Sequence, residues 1–168
     1  MADLTPSQTV GPFFHLALAD PAMATPVPAD DAHTLTVHGT IVDGDGAAVP
    51  DAVVETWQYG GPFGRCATDA DGAWSIRTRR PPAVATLDGT AQAPHLAVSV
   101  FARGLLDRVV TRIYFDGDPA IDTDPVLAAV GDRAARLLAR REDDRTWRFD
   151  IRLRADGGGD DESVFFVV

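Results

Sequence analysis

The sequence predicts an all-β chain, an antiparallel β-sandwich with one short helix and an extended N-terminal arm. Three observations predict it. Seven or eight short segments rich in β-branched and aromatic residues recur at close spacing, separated by Gly-, Asp- and Pro-rich turns. Only one stretch has helical character. Strands that follow one another with tight turns and no intervening helices pack as two antiparallel layers.

The first 32 residues contain Pro6, Pro12, Pro21, Pro26 and Pro28, so they read as arm and loop. Regular alternation begins at His33: Leu35, Val37, Gly39 and Ile41 face one way, and Thr34, Thr36, His38 and Thr40 the other. DGDGAAVP (43–50) is a turn carrying Asp-Gly twice, and AVVETWQYG (52–60) is the second strand. GGPFGR is a loop. In TDADGAWSIRT, Asp71-Gly72 turns the chain and Trp74, Ile76 and Thr78 line one face of a strand.

Residues 79–94 carry three prolines without a period and read as loop. HLAVSVFA (95–102) and RVVTRIYF (108–115) are strands joined by the turn RGLLD. RTWRFDIRLR alternates as one strand with Trp147, Phe149, Ile151 and Leu153 inward, and SVFFVV is a closing strand after the turn GGGDDE. The helical candidate is 125–142, where Asp132 is placed to cap RAARLLARR, whose arginines suit the negative pole of the helix dipole. The whole of 1–168 is expected to form a single domain, long enough for a sizeable core.

Composition narrows the function. A net charge of −10 argues against nucleic acid and against anionic membrane surfaces as partners. No apolar run approaches the roughly 20 residues of a membrane span, and the start lacks the basic-then-apolar order of a signal peptide. The single cysteine, Cys66, excludes an intrachain disulfide and suits a reducing cytoplasm. Arg65 is its only supportive neighbour, so Cys66 is a poor nucleophile candidate.

Six blocks occur in order: TPSQTVGPF, VETWQ, GRCATDADGAWSIRT, APHLAVSVFARGL, TRIYFDGDP and RFDIRLR…ESVFFVV. Together, over nearly the whole chain, they resemble the intradiol ring-cleaving dioxygenases, in particular the α-type chains of members built from α and β subunits. The resemblance implies the family's β-sandwich, and a non-haem Fe(III) held in the homologous β subunit by two tyrosines and two histidines. Those histidines form a His-x-His pair, and residues i and i+2 of a strand project from the same face. Here the matching place reads PHLAVS: His95 is present, but Ala97 stands at the second position. His15, His33 and His38 have no histidine two residues on, and Tyr59 and Tyr114 are the only phenols. The chain is therefore expected to hold no metal and no catalytic residue by itself.

What the resemblance assigns instead is a share of the partner's substrate pocket. Thr9, Gly11 and Pro12 stand where the arm of such chains reaches across to the β subunit, and Phe13 stands where related chains often carry tyrosine. Arg103, in FARG, resembles an arginine that points into the same pocket, where a guanidinium offsets the charge of an anionic ligand. The implied reaction is O2-dependent cleavage of a small aromatic acid, protocatechuate, between its hydroxyl-bearing carbons, to give 3-carboxy-cis,cis-muconate. The implied assembly is a higher-order αβ oligomer in the cytoplasm. Two rival readings remain at this stage. One is a non-enzymatic β-sandwich binding module without metal chemistry. The other is a rebuilt iron site using His95, Tyr59 and Asp69.

Overall fold

The computed structural model describes residues 8, 9, 11, 13, 17–86, 89–153 and 161–167. Eleven strands are present among them: β1 (Thr34–Val42), β2 (Val53–Trp57), β3 (Gly64–Ala67), β4 (Ala73–Arg79), β5 (Val84–Ala85), β6 (Ala91–Gln92), β7 (His95–Phe101), β8 (Val109–Phe115), β9 (Leu138–Arg141), β10 (Thr146–Arg148) and β11 (Ile151–Arg152). Nine of them form one sheet in the order β11-β1-β10-β9-β8-β7-β2-β3, with β4 on the other edge of β1, while β5 and β6 pair with each other.

The sheet folds over on itself, so β1, β4 and β10 face β2, β7 and β8 across a common core. Leu35, Val37, Ile41, Trp74 and Ile76 enter from one side and Val54, Leu96, Val98, Val100 and Ile113 from the other. Phe115 and Trp147 meet edge to face, with ring centroids 5.2 Å apart at 89°. The period-2 burial predicted for β1 and β4 is realised: Leu35, Val37, Ile41, Trp74, Ile76 and Thr78 are all buried.

Pairing departs from a purely antiparallel scheme. β1 runs antiparallel to β4 but parallel to β10 and β11, and β8 runs parallel to β9. The segment 145–154 is not one strand. Thr146–Arg148 and Ile151–Arg152 are separate, because the chain jogs at Phe149 and Asp150 opposite Gly39. There the Phe149 N–H donates to the His38 carbonyl at 2.7 Å, and the Phe149 carbonyl oxygen lies 1.9 Å from where a Cβ on residue 39 would be. Only glycine admits that approach.

The helical candidate is also corrected. The α-helix α1 covers only Pro125–Val130, continues as a 3-10 turn over Gly131–Leu137, and gives way to strand β9 at Leu138. The cap is Asp124, whose carboxylate accepts from the Val126 and Leu127 N–H groups at 2.8 and 2.9 Å; Asp132 caps nothing. Gly131, with φ 68°, ends the α-helical turns. Four further segments differ from expectation. The arm-and-loop region contains a 3-10 turn at Pro21–Ala24 capped by Asp20, and the expected loops 60–65 and 79–94 supply the start of β3 and the small β5–β6 pair. Among the described residues of the closing SVFFVV, Phe166 makes one bridge, to Val110, and no strand forms.

Candidate functional site

Strand β7 opens with His95, whose neighbour on β8 is Tyr114. Their rings lie 5.2 Å apart at 34°. The His95 Nδ1–H donates to the Ala93 carbonyl at 2.8 Å. Burial, outweighing that bond, moves the imidazole pKa below its ordinary value, with Arg112 acting in the same direction. His95 is therefore neutral near pH 7. Two residues on, Ala97 is flanked by Trp57 on β2 and by Arg112 on β8. The position that lacks an imidazole thus has a guanidinium as its cross-strand neighbour.

The phenols serve other ends. Tyr114 is fully buried; its hydroxyl accepts from Arg112 Nη1 at 3.1 Å and donates to Asp124 Oδ1 at 3.3 Å. Burial pushes its pKa up to about 12, so it is a neutral phenol near pH 7. Tyr59 is 72% exposed, beyond the end of β2. Asp69 spends its carboxylate on the Asp71 and Ala73 N–H groups, in the turn after β3. Ala67 of β3 registers with Val53, and Val53 with Phe101. Asp69 therefore sits at the Phe101 end of β7, and His95 at the other end, roughly 20 Å away by strand rise. The trio His95, Tyr59 and Asp69 is not brought together.

These residues do not fit an iron centre. Beside His95 stands one phenol, Tyr114, whose hydroxyl is taken up by Arg112 and Asp124, while Tyr59 is exposed and Asp69 lies at the far end of β7, so too few donors converge here to hold an iron ion. Among the described residues no cluster of three or more His, Cys, Asp or Glu side chains could hold a metal. Burial pushes the pKa of the Cys66 thiol up, which disfavours the thiolate.

A second constellation lies at the opposite end of β7. Arg103 follows the strand, and the Thr9 hydroxyl donates to its backbone carbonyl. The structure thus brings together two sequence-selected residues 94 positions apart. Arg103 Nε lies 2.6 Å from Asp51 Oδ2, while its side chain remains 62% exposed. Gly11 adopts φ 78° with no atom within 4 Å of a would-be Cβ, and Phe13 is 75% exposed. Pro12 lies outside the described residues.

Sequence reasoning missed Asp51 and Asp124. For Asp124 a signal existed, since Asp immediately before Pro125 is an N-cap followed by the preferred first helical residue. Asp51 lies between a turn and a strand, and no local pattern marks it.

Comparison with known proteins places this geometry in context. The family model described as Dioxygenase matches residues 59–155. The chain is 34% identical to the protocatechuate 3,4-dioxygenase alpha chain of Pseudomonas putida, covering 96% of this chain and 95% of that one. Against the alpha chain of the same name from Burkholderia cepacia the identity is 36%, covering 98% and 97%. The beta chain of that name from Burkholderia cepacia is 29% identical, over 71% of this chain and 64% of its own length. In fold, catechol 1,2-dioxygenase from Acinetobacter sp. ADP1 is similar with a TM-score of 0.60 at 22% identity, covering 83% of this chain and 59% of that one.

Proposed function

This chain belongs to the intradiol ring-cleaving dioxygenase family, and from that premise we propose that it is the non-iron-binding α-type subunit of a protocatechuate 3,4-dioxygenase. The observation that carries the reading is similarity to two alpha chains along nearly their whole length. The unfit donor set around His95 accords with it. Fe(III) belongs to a homologous β-type partner, whose likeness to this chain supports an αβ assembly. The pair converts protocatechuate and O2 to 3-carboxy-cis,cis-muconate.

In this reading the chain supplies one wall of the partner's pocket. Thr9, Gly11, Pro12 and Phe13 form the reaching arm, and Arg103 offers a cation to an anionic ligand. Two observations support it: Thr9 of the arm is tied to residue 103, and Phe13 leaves most of its apolar ring exposed among the described residues. A large exposed aromatic at the end of an arm gains most when a second surface buries it. No described helix is long and apolar enough to cross a membrane, and a cytoplasmic αβ oligomer built from single-domain chains completes the proposal.

Metal content and O2 uptake on protocatechuate test it, first for this chain alone and then for the chain co-expressed with its iron-binding partner. The expected outcome is an iron-free, inert chain and an iron-loaded, active pair. Iron binding with O2 uptake by the lone chain would overturn the subunit reading.

A further inference from the structure

A groove of about 370 Å3 lies on the outward face of β1, β4 and β10, bordered by Ala24, Thr25 and Ala29. That volume is in the range of small-molecule sites. No Asp or Glu lines the groove, although the chain has 25 acidic residues against 15 basic ones, all arginines. Two arginines do line it: Arg77 of β4, half-buried, and Arg145, exposed, just before β10. Among the described arginines these two alone make neither an ion pair nor a side-chain hydrogen bond.

The sheet sets them around one residue. Thr36 of β1 registers with Arg77 on β4 and with Thr146 on β10, and its N–H donates to the Arg145 carbonyl at 2.7 Å. The two arginines therefore flank β1, roughly 10 Å apart at the backbone by strand spacing, a gap that two long side chains span. The Arg145 N–H donates to Asp143 Oδ1 at 2.8 Å, which anchors its base. Thr36 and Ser75 line the same groove and bring hydroxyls to it.

Each guanidinium carries five N–H donors and no acceptor, so neither arginine can satisfy the other. Two like charges facing one groove repel, and an anion between them removes that cost while accepting from both. We propose that this groove is an anion-binding site for a small polyanion whose carboxylate or phosphate oxygens bridge Arg77 and Arg145, with Thr36 and Ser75 as further donors. The site is separate from the Arg103 constellation, which follows β7, and does not depend on the subunit reading.

Isothermal titration of the full chain with citrate and with inorganic phosphate, at constant ionic strength in chloride, tests it. Saturable binding of at least one of them is expected, with a Kd of about 1 mM or below. Preference for citrate identifies a polycarboxylate as the ligand class, and preference for phosphate a phosphorylated compound. Arg77→Gln and Arg145→Gln are each expected to weaken binding about tenfold, the size of one charge-assisted hydrogen bond. Arg136→Gln removes the same charge from the 3-10 turn before β9 and is expected to leave affinity within about twofold. Arg145 is exposed, so Arg145→Gln keeps the test available should Arg77→Gln fail to fold. If the chain needs its partner to stay folded, the co-expressed pair is titrated instead, and the same variants distinguish this groove from sites on the partner. No saturation by either anion up to about 10 mM, or an equal loss in Arg136→Gln, overturns the proposal.

Discussion

The Tyr114 hydroxyl donates to Asp124 Oδ1 at 3.3 Å, joining the core of β8 to the N-terminus of α1. The same carboxylate accepts the Ala93 N–H at 2.7 Å and the Val126 and Leu127 N–H groups. One buried acid therefore holds the approach to β7, the end of β8 and the helix together.

Asp124→Ala is expected to destabilise the chain by about 3 kcal/mol, because three backbone donors and a phenol lose their acceptor in a site without water access. Urea unfolding measures it. A loss below about 1 kcal/mol would mean that water replaces the carboxylate.

Tyr114→Phe removes a single hydroxyl and is expected to cost about 1 kcal/mol at neutral pH. The pH dependence is the sharper test. With its folded pKa raised to about 12, Tyr114 contributes stability that is fully present below the ordinary phenol value of 10 and is lost as pH rises through about 12. The stability gap between native chain and Tyr114→Phe should narrow between pH 10 and 12, as read by thermal unfolding.

Asp150 behaves in the opposite sense. Burial raises its pKa, but the Arg148 hydrogen bond and the Thr40 N–H and hydroxyl outweigh it, and the net shift is downward. Its contribution is present above the usual carboxylate value and is lost as pH falls through the depressed one. Asp150→Asn should therefore differ from the native chain at pH 7 and converge with it as pH falls below about 4. A gap that stays constant with pH would exclude the charge as its source.

Gly39→Ala places a methyl group 1.9 Å from the Phe149 carbonyl oxygen, a backbone atom that moves only if the β1–β10 pairing opens. The expected cost exceeds about 3 kcal/mol. Recovery of folded protein by gel filtration and circular dichroism checks this.

Phe13→Ala separates folding from assembly. The ring is 75% exposed, so the isolated chain's stability should change by less than about 0.5 kcal/mol. On the proposed subunit reading, the substitution should lower the activity of the pair on protocatechuate, and unchanged activity would remove Phe13 from the proposed pocket wall.

Residues whose environment is set by near neighbours were readable from the chain. Alternation alone identified the buried faces of β1 and β4, down to Trp74, Ile76 and Thr78. Ordered motifs identified the family, and the single substitution of Ala97 in the His-x-His pattern pointed away from iron. The helix was misjudged because Asp132 and the arginines after it carry helical signals that tertiary pairing overrides. Leu138–Ala139 is drawn into parallel register with Tyr114–Phe115, and a strand position there buries Ala139 fully.

What the sequence determined by itself was the fold class and the family, because each is written in local period or in motif order. Only the tertiary structure decided that Asp124 gathers Ala93 and Tyr114, that Phe149 closes on Gly39, and that Asp51 pairs with Arg103 while Thr9 holds its carbonyl. These partners stand 31, 10, 110, 52 and 94 residues apart, and no local pattern encodes a contact over such distances. They arise because folding the sheet on itself buries polar groups that must then find partners wherever the chain has brought them.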